Sequence, residues 1–329
     1  MEAGSTIESL PHDGPGRHRC PVTPEPVVRV RGLRKSYGLG PSTVTAVDGI
    51  DFTIERGEVF ALLGPNGAGK SSTVEILEGY HDRDDGEVSV LGSDPQLLRG
   101  RALLAWKARL GIVLQSASEQ NVLTVRQMLT QLARFYPHPR DVDETIAAVG
   151  LTEKATARIK TLSGGQRRRV DVALGVVGRP ELLFLDEPTT GFDPEARRDF
   201  WGLVKSLQDK GTAVLLTTHD LDEAAHLADR AGIIASGRLV DLGPVDAIGG
   251  ADARVPIVRW HEAHAVRQVR TDEPARVVAE LAARVGGEPP GLEVIRPSLE
   301  DVYLELIEQA KTDTAPAARQ TTPVQEAHA

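Results

Sequence analysis

Gly64-Pro65-Asn66-Gly67-Ala68-Gly69-Lys70-Ser71 satisfies the spacing G-x-x-x-x-G-K-[ST] without substitution. Glycines at these positions let successive backbone N–H groups turn towards one anion, and a helix starting near Lys70 adds the positive end of its dipole. Lys70 can set its ammonium on the outer phosphates of a nucleotide, and the Ser71 hydroxyl can ligate Mg²⁺. Ser72, the next residue, is counted with the phosphate-binding group. The context has the required order: Glu58 to Leu63 reads as a short buried strand and Ser71 to Glu78 as a helix start.

A second candidate site is Leu182-Leu183-Phe184-Leu185-Asp186-Glu187, an apolar run ending in two carboxylates. Buried parallel strands look like this, and ligands of such sheets collect at the carboxyl ends of the strands. Asp186 is placed to hold Mg²⁺, and Glu187 to orient or deprotonate an attacking water. Ser163-Gly164-Gly165 ahead of Gln166 to Val177 forms a second glycine-rich helix entry, hence a second anion site. Arg167, Arg168 and Arg169 follow in its first turn, where cations oppose the dipole; at least two of them are expected on a solvated face. Asp193 before Pro194 reads as an N-cap, and Asp220 with Glu223 as a capping box.

In this order the motifs resemble the nucleotide-binding subunit of an ATP-binding cassette (ABC) transporter, over about residues 27 to 248. Leu162 to Gln166 match the family signature without change. The resemblance implies an α/β P-loop NTPase cassette with a RecA-like core, an antiparallel β subdomain and a helical subdomain, binding ATP and Mg²⁺. It implies that Tyr37 stacks on adenine and that Gln115 is the Q-loop glutamine, touching Mg²⁺ or the γ-phosphate. Gly191-Phe192-Asp193 is similar to the D-loop, and His219 to the switch histidine. Standing alone, Tyr37 reads as an interfacial aromatic, Gln115 as a polar strand terminus and His219 as a structural histidine, so their roles rest on family position. Two departures stand out: Phe192 replaces the usual D-loop leucine, with packing across a dimer at stake. Gln127 stands where an acidic residue often follows Thr-Val-Arg, with a polar contact to the partner at stake.

The resemblance further implies that one chain's signature completes the ATP site of another, with Ser163, Gly164, Gly165, Gln166 and Asp193 facing the opposite subunit's nucleotide. With one set of motifs and no internal repeat, the chain is expected to be half of a catalytic pair, most simply a head-to-tail homodimer.

The elements that must position these groups are readable. The chain has 329 residues, 40% hydrophobic, enough for a sizeable core and a second small unit. Residues 1–26, with five prolines, are expected to be a disordered leader. The cassette follows over 27–250, its helical subdomain at about 96–161, where Val125 to Leu132 and Val142 to Val149 turn helical in pattern. Residues 251–310 read as a small α+β appendage and 311–329 as a disordered tail. Its last helical stretch, Pro297 to Leu306, resembles the end of ATPases serving ABC-2 type drug and antibiotic exporters, as does Leu77-Glu78-Gly79-Tyr80.

A net charge of −9 argues against general nucleic-acid affinity, so no nucleic-acid partner is expected. The single cysteine, Cys20, precludes an intrachain disulfide. No run approaches the roughly 18 to 20 apolar residues that span a bilayer, so a transport role requires a separate permease, with this chain peripheral on the cytoplasmic face. The leading function is therefore ATP hydrolysis coupled to export. The alternatives are a cassette ATPase acting mechanically on ribosomes or DNA, and a module using ATP only as a structural switch. Two cassettes in one chain or long coiled-coil insertions, which mark the first alternative, are absent from the sequence, and Glu187 with His219 disfavours the second.

Overall fold

The computed structural model describes residues 25–38, 40–113, 122–262 and 265–314. The chain enters through two long strands, β1 (Val28–Tyr37) and β2 (Val44–Ile54), that pair antiparallel. β3 (Val59–Leu63) is buried at every position, as expected for a strand covered on both faces. It feeds the phosphate loop and α1 (Lys70–Leu77), after which β4 (Asp85–Val90) returns to pair with the other edge of β1. Phe52 of β2 stacks on Phe60 of β3 at 5.3 Å between ring centroids, seating the antiparallel sheet on the central one.

A helical stretch follows: α2 (Gly100–Lys107), then the short strand β5 (Leu110–Val113), α3 (Val125–Ala133) and α4 (Val142–Ala148). Thr124 and Gln127 close a capping box at the start of α3, with Gln127 N–H donating to Thr124 Oγ1 and Thr124 N–H donating to Gln127 Oε1. The Gln127 side chain is thus engaged in capping α3, a role an acidic residue would also fill, so the departure at that position has no explanation within the chain.

α5 (Gly164–Val176) carries the signature segment. Then β6 (Leu182–Asp186), α6 (Pro194–Gln208), β7 (Ala213–Thr217), α7 (Leu221–Leu227), β8 (Arg230–Ala235) and β9 (Arg238–Pro244) complete the core. The central sheet runs β5-β6-β7-β3-β8-β9, parallel except for β9. Its carboxyl ends put the phosphate loop, Asp186-Glu187 and His219 along one edge, because β6 and β7 lie beside β3 in the order 6-7-3. α5 can lie against β5 only because Gly111 meets Gly175; a Cβ on Gly111 would come within 2.3 Å of the Gly175 carbonyl oxygen.

The C-terminal part forms β10 (Ile257–Glu262), β11 (Ala265–Arg270), α8 (Pro274–Val285) and β12 (Glu293–Ile295), a three-stranded antiparallel sheet in the order β11-β10-β12. The last helix, α9 (Leu299–Thr314), starts at a Ser298/Asp301 cap and continues four residues beyond the expected start of the tail. Its Leu299, Val302 and Ile307 share a core with Leu63 of β3 and Ile233 of β8, so the last helix packs on the cassette core. Among the described residues no helix is long and apolar enough to cross a membrane. The expected leader, except Glu25 and Pro26, and the tail beyond residue 314 lie outside the described residues.

Candidate functional site

The phosphate loop is fixed by close backbone approaches. A side chain at Gly64 would come within 2.2 Å of the Ile234 carbonyl oxygen, and one at Gly69 within 2.2 Å of that of Ala46. Gly69 also adopts φ +109°, a conformation that favours glycine. Ala68 is buried and its carbonyl accepts from Gly237 N–H at 2.9 Å, while Gly67 faces open space. α1 then starts at Lys70, one residue before the expected start, with its free N–H groups at the loop. Lys70 Nζ donates to the carbonyls of Gly64 (2.6 Å) and Pro65 (3.1 Å), bridging its own loop. Burial pushes its pKa below the ordinary lysine value, opposed by the charges of Glu187 and Asp186. An anion in the loop would compensate that partly desolvated cation.

Tyr37, Asn66, Gly67, Gly69, Lys70, Ser71, Ser72, Asp186, Glu187 and His219 line one cleft of about 700 Å³, with Ala46. The structure thus brings together residues predicted from segments up to 182 positions apart in the sequence. Asp186 Oδ1 accepts a hydrogen bond from Thr217 Oγ1 at 2.5 Å, which fixes the carboxylate at the end of β6. Glu187 leaves the strand in the left-handed region at φ +46°, held by its N–H donating to the Thr217 carbonyl at 2.8 Å. That turn aims its carboxylate into the cleft, with Oε1 at 3.0 Å from His219 Nδ1. His219 is 70% exposed, so its ring can move, whereas Glu187 is 20% exposed. Tyr37 closes one end, edge-on to His81 at 6.1 Å with the Lys35 ammonium 5.2 Å from its ring.

The signature residues are elsewhere. Ser163, Gly165, Gln166 and Asp193 line a second cleft of about 370 Å³, with Arg169 and the turn after α4. Ser163 and Gln166 form a reciprocal capping box, in which Gln166 N–H donates to Ser163 Oγ (3.2 Å) and Ser163 N–H to Gln166 Oε1 (3.1 Å). Gly164 and Gly165 lie at the helix entry, and a Cβ at Gly164 would meet nothing within 4 Å. Neither glycine has a positive φ. A Cβ at Gly165 would only reach ordinary contact with Phe192 at 3.9 Å, so within the chain both positions have room for a Cβ. Asp193 caps α6, its Oδ1 accepting from Ala196 N–H at 2.7 Å. Phe192 packs edge-on against Phe200 at 6.0 Å and is buried within the chain. Gln115 lies outside the described residues.

Two expectations are corrected. Arg168 is 7% exposed, and Arg169 is largely covered, its guanidinium 3.7 Å from Asp199, so at most one of the three arginines is freely solvated. The signal was present: the register that turns Val172 and Gly175 inward turns Arg168 inward as well, four and seven residues earlier. The second correction concerns Glu223. Asp220 caps α7, accepting from Glu223 N–H at 3.1 Å, but the Glu223 side chain is buried, its pKa raised by burial against the opposing hydroxyls of Thr218 and Thr189.

Glu78, directly after α1, is 3% exposed, and burial, with the charges of Glu75 and Asp186, pushes its carboxyl up to about 8. The unfolded chain loses this proton near the ordinary value of 4.5, while the folded chain keeps it until about pH 8. Between those limits the unfolded state binds fewer protons, so this group lowers stability as pH rises, by up to about 1.4 kcal/mol per unit. Glu78→Gln should consequently gain stability over wild type at pH 8 and little at pH 5, read as urea midpoints at the two pH values.

The oxygen donors fit a magnesium-bound nucleotide. Ser71 and Asp186 line the same cleft, and among the described residues no cluster of three or more His, Cys, Asp or Glu could hold a metal alone. One carboxylate and one hydroxyl suit an ion that keeps several waters and shares phosphate oxygens.

Residues 47–190 match the family model described as ABC transporter. The daunorubicin/doxorubicin resistance ATP-binding protein DrrA of Streptomyces peucetius is 37% identical over 272 residues, 80% of this chain and 78% of that protein. The Nod factor export ATP-binding protein I of Rhizobium meliloti (strain 1021) is 34% identical over 309 residues, 86% of this chain and 88% of its own length. A solved ATP-binding subunit of an ABC transporter superposes with a TM-score of 0.62 at 22% identity, covering 85% of this chain and 99% of its own, a likeness of fold.

Proposed function

Because the chain belongs to the ABC transporter family of ATP-binding proteins, we propose that it binds and hydrolyses ATP to drive export of a small hydrophobic compound, of drug or antibiotic type, through a separate membrane permease. The observation that carries the catalytic part is the convergence of Lys70, Ser71, Asp186, Glu187 and His219 on one cleft. Backbone N–H groups of the loop and Lys70 receive the β- and γ-phosphates, and Tyr37 at the far end supplies a face for the base. Ser71 and Asp186 would hold Mg²⁺, which would supply positive charge against that developing on the phosphate oxygens. Glu187 accepts a hydrogen bond from the attacking water and aligns it with the γ-phosphoryl, and His219 fixes the Glu187 carboxylate from its outer side.

The signature cleft supports the dimeric part of the reading. Ser163 and Gly165 line a cleft separate from that of this chain's own phosphate loop, and the anion that the helix entry would bind, through its free N–H groups and the Ser163 hydroxyl, is assigned to the nucleotide of a second subunit. Gln115, after β5, is assigned to sensing the γ-phosphate, and Asp193 to the contact between subunits. The export direction follows the Nod factor export protein and the drug class the daunorubicin/doxorubicin resistance protein, two relatives whose names assign them different compounds.

The test is reconstitution with a co-purified permease in lipid vesicles. ATP turnover that depends on Mg²⁺, rises with a hydrophobic drug and accompanies its movement across the bilayer supports the reading. Turnover indifferent to permease and to every drug tested would reject the export role.

A further inference from the structure

The last residue of β6 and the two that follow it present their carbonyls to one buried side chain. Arg168 Nη2 donates to the carbonyls of Asp186 (2.5 Å) and Glu187 (3.2 Å), and Arg168 Nε to that of Pro188 (3.1 Å). Asp186 is the last residue of β6, opposite Thr217, and Glu187 and Pro188 lie beyond the strand, where carbonyls shielded from water require another donor. Only a guanidinium supplies several N–H groups in one rigid plane.

Glu187 makes that bracing consequential. Its φ of +46° is unfavourable for a residue with a Cβ and persists only where the surroundings hold it. Both flanking peptides are anchored: Glu187 N–H donates to Thr217, and the Glu187 carbonyl accepts from Arg168. Arg168 itself sits where a guanidinium is costly, since burial pushes its pKa below the ordinary arginine value despite Asp171, Asp186, Glu223 and Glu187 nearby. An apolar residue would fill this volume at lower cost.

We propose that Arg168 is a positioning residue for ATP hydrolysis: from the signature helix it fixes the Asp186–Pro188 backbone, and thereby the direction of the Glu187 carboxylate. The proposal rests on the reading of Glu187 as the water-orienting group. The helix whose entry lines the second cleft thus braces the wall of the first.

The test compares wild type, Arg168→Met, Arg168→Lys and Glu187→Gln for Mg-ATP turnover, KM for ATP, nucleotide affinity and thermal midpoint. Arg168→Met keeps much of the volume and removes every donor; Arg168→Lys keeps the charge and one donor direction. Arg168→Met is expected to lower kcat by about ten- to hundredfold, with KM and affinity within about threefold, and Arg168→Lys to recover part of the loss. Should Arg168→Met not fold, the same split in Arg168→Lys decides. Unchanged kcat, or kcat and affinity falling together with the thermal midpoint in both variants, overturns the positioning role. If wild type turns over and Glu187→Gln does not, an unaffected Arg168→Met sinks this inference alone; if Glu187→Gln turns over normally, the reading beneath it has failed.

Discussion

Replacing Glu187 by Gln is expected to lower ATP turnover by about a hundredfold or more while ATP affinity stays within about twofold of wild type. The substitution preserves shape, and the Gln amide oxygen can still accept from His219, which stands 3.0 Å from Oε1. The backbone of residue 187 is held independently of its side chain, through Thr217 and Arg168, so the left-handed turn survives. What disappears is the negative charge that polarises the attacking water, an interaction made only as the transition state is approached. Phosphate release measures turnover, and a fluorescent nucleotide measures affinity. Turnover of Glu187→Gln within about twofold of wild type would contradict any base or water-orienting role for this carboxylate.

The phosphate loop and acidic strand were legible because their chemistry is local: spacing fixes the loop, and an apolar run ending in carboxylates fixes the strand end. His219 became meaningful through sheet order, since β7 lies between β3 and β6. The less legible features are those in which a polar side chain works inside the fold. Arg168 looked like one of three surface cations because charge suggests solvent, and its helical register had to outweigh that. Glu223 matched the spacing of a capping box, yet α7 packs that face inward, and sequence spacing cannot distinguish the two. Within the chain Gln127 caps α3 and Phe192 packs on Phe200, contacts that neither spacing nor residue type announced. The path of α9 onto β3 and β8 was hidden for another reason: an amphipathic stripe says that a helix is covered, without saying by what.

The second large effect isolates where an ATP site is built. Gly164→Asp should leave the fold intact, because residue 164 has no positive φ and a Cβ added there meets nothing within 4 Å. A carboxylate in the first turn of α5 even favours the helix dipole, so the thermal midpoint should hold. Turnover should nevertheless fall by about tenfold or more, since the new charge occupies the place of the anion that the helix entry would bind. Lys70→Ala fails from the other side, losing the cation of the phosphate loop. If each ATP site joins one chain's loop to its partner's signature, a mixed dimer of the two dead variants holds one intact site. The Gly164→Asp chain supplies Lys70, and the Lys70→Ala chain supplies an unaltered Ser163-Gly164-Gly165 entry. Equal mixing with free exchange makes about half of the dimers mixed, restoring about a quarter of the wild-type sites. Recovery of turnover on mixing, absent from either variant alone, is the expected result. No recovery, despite mixed dimers seen by a size or crosslinking measurement, would overturn a site joined from one chain's loop and its partner's signature, and an unaffected Gly164→Asp chain would remove Gly164 from the site altogether.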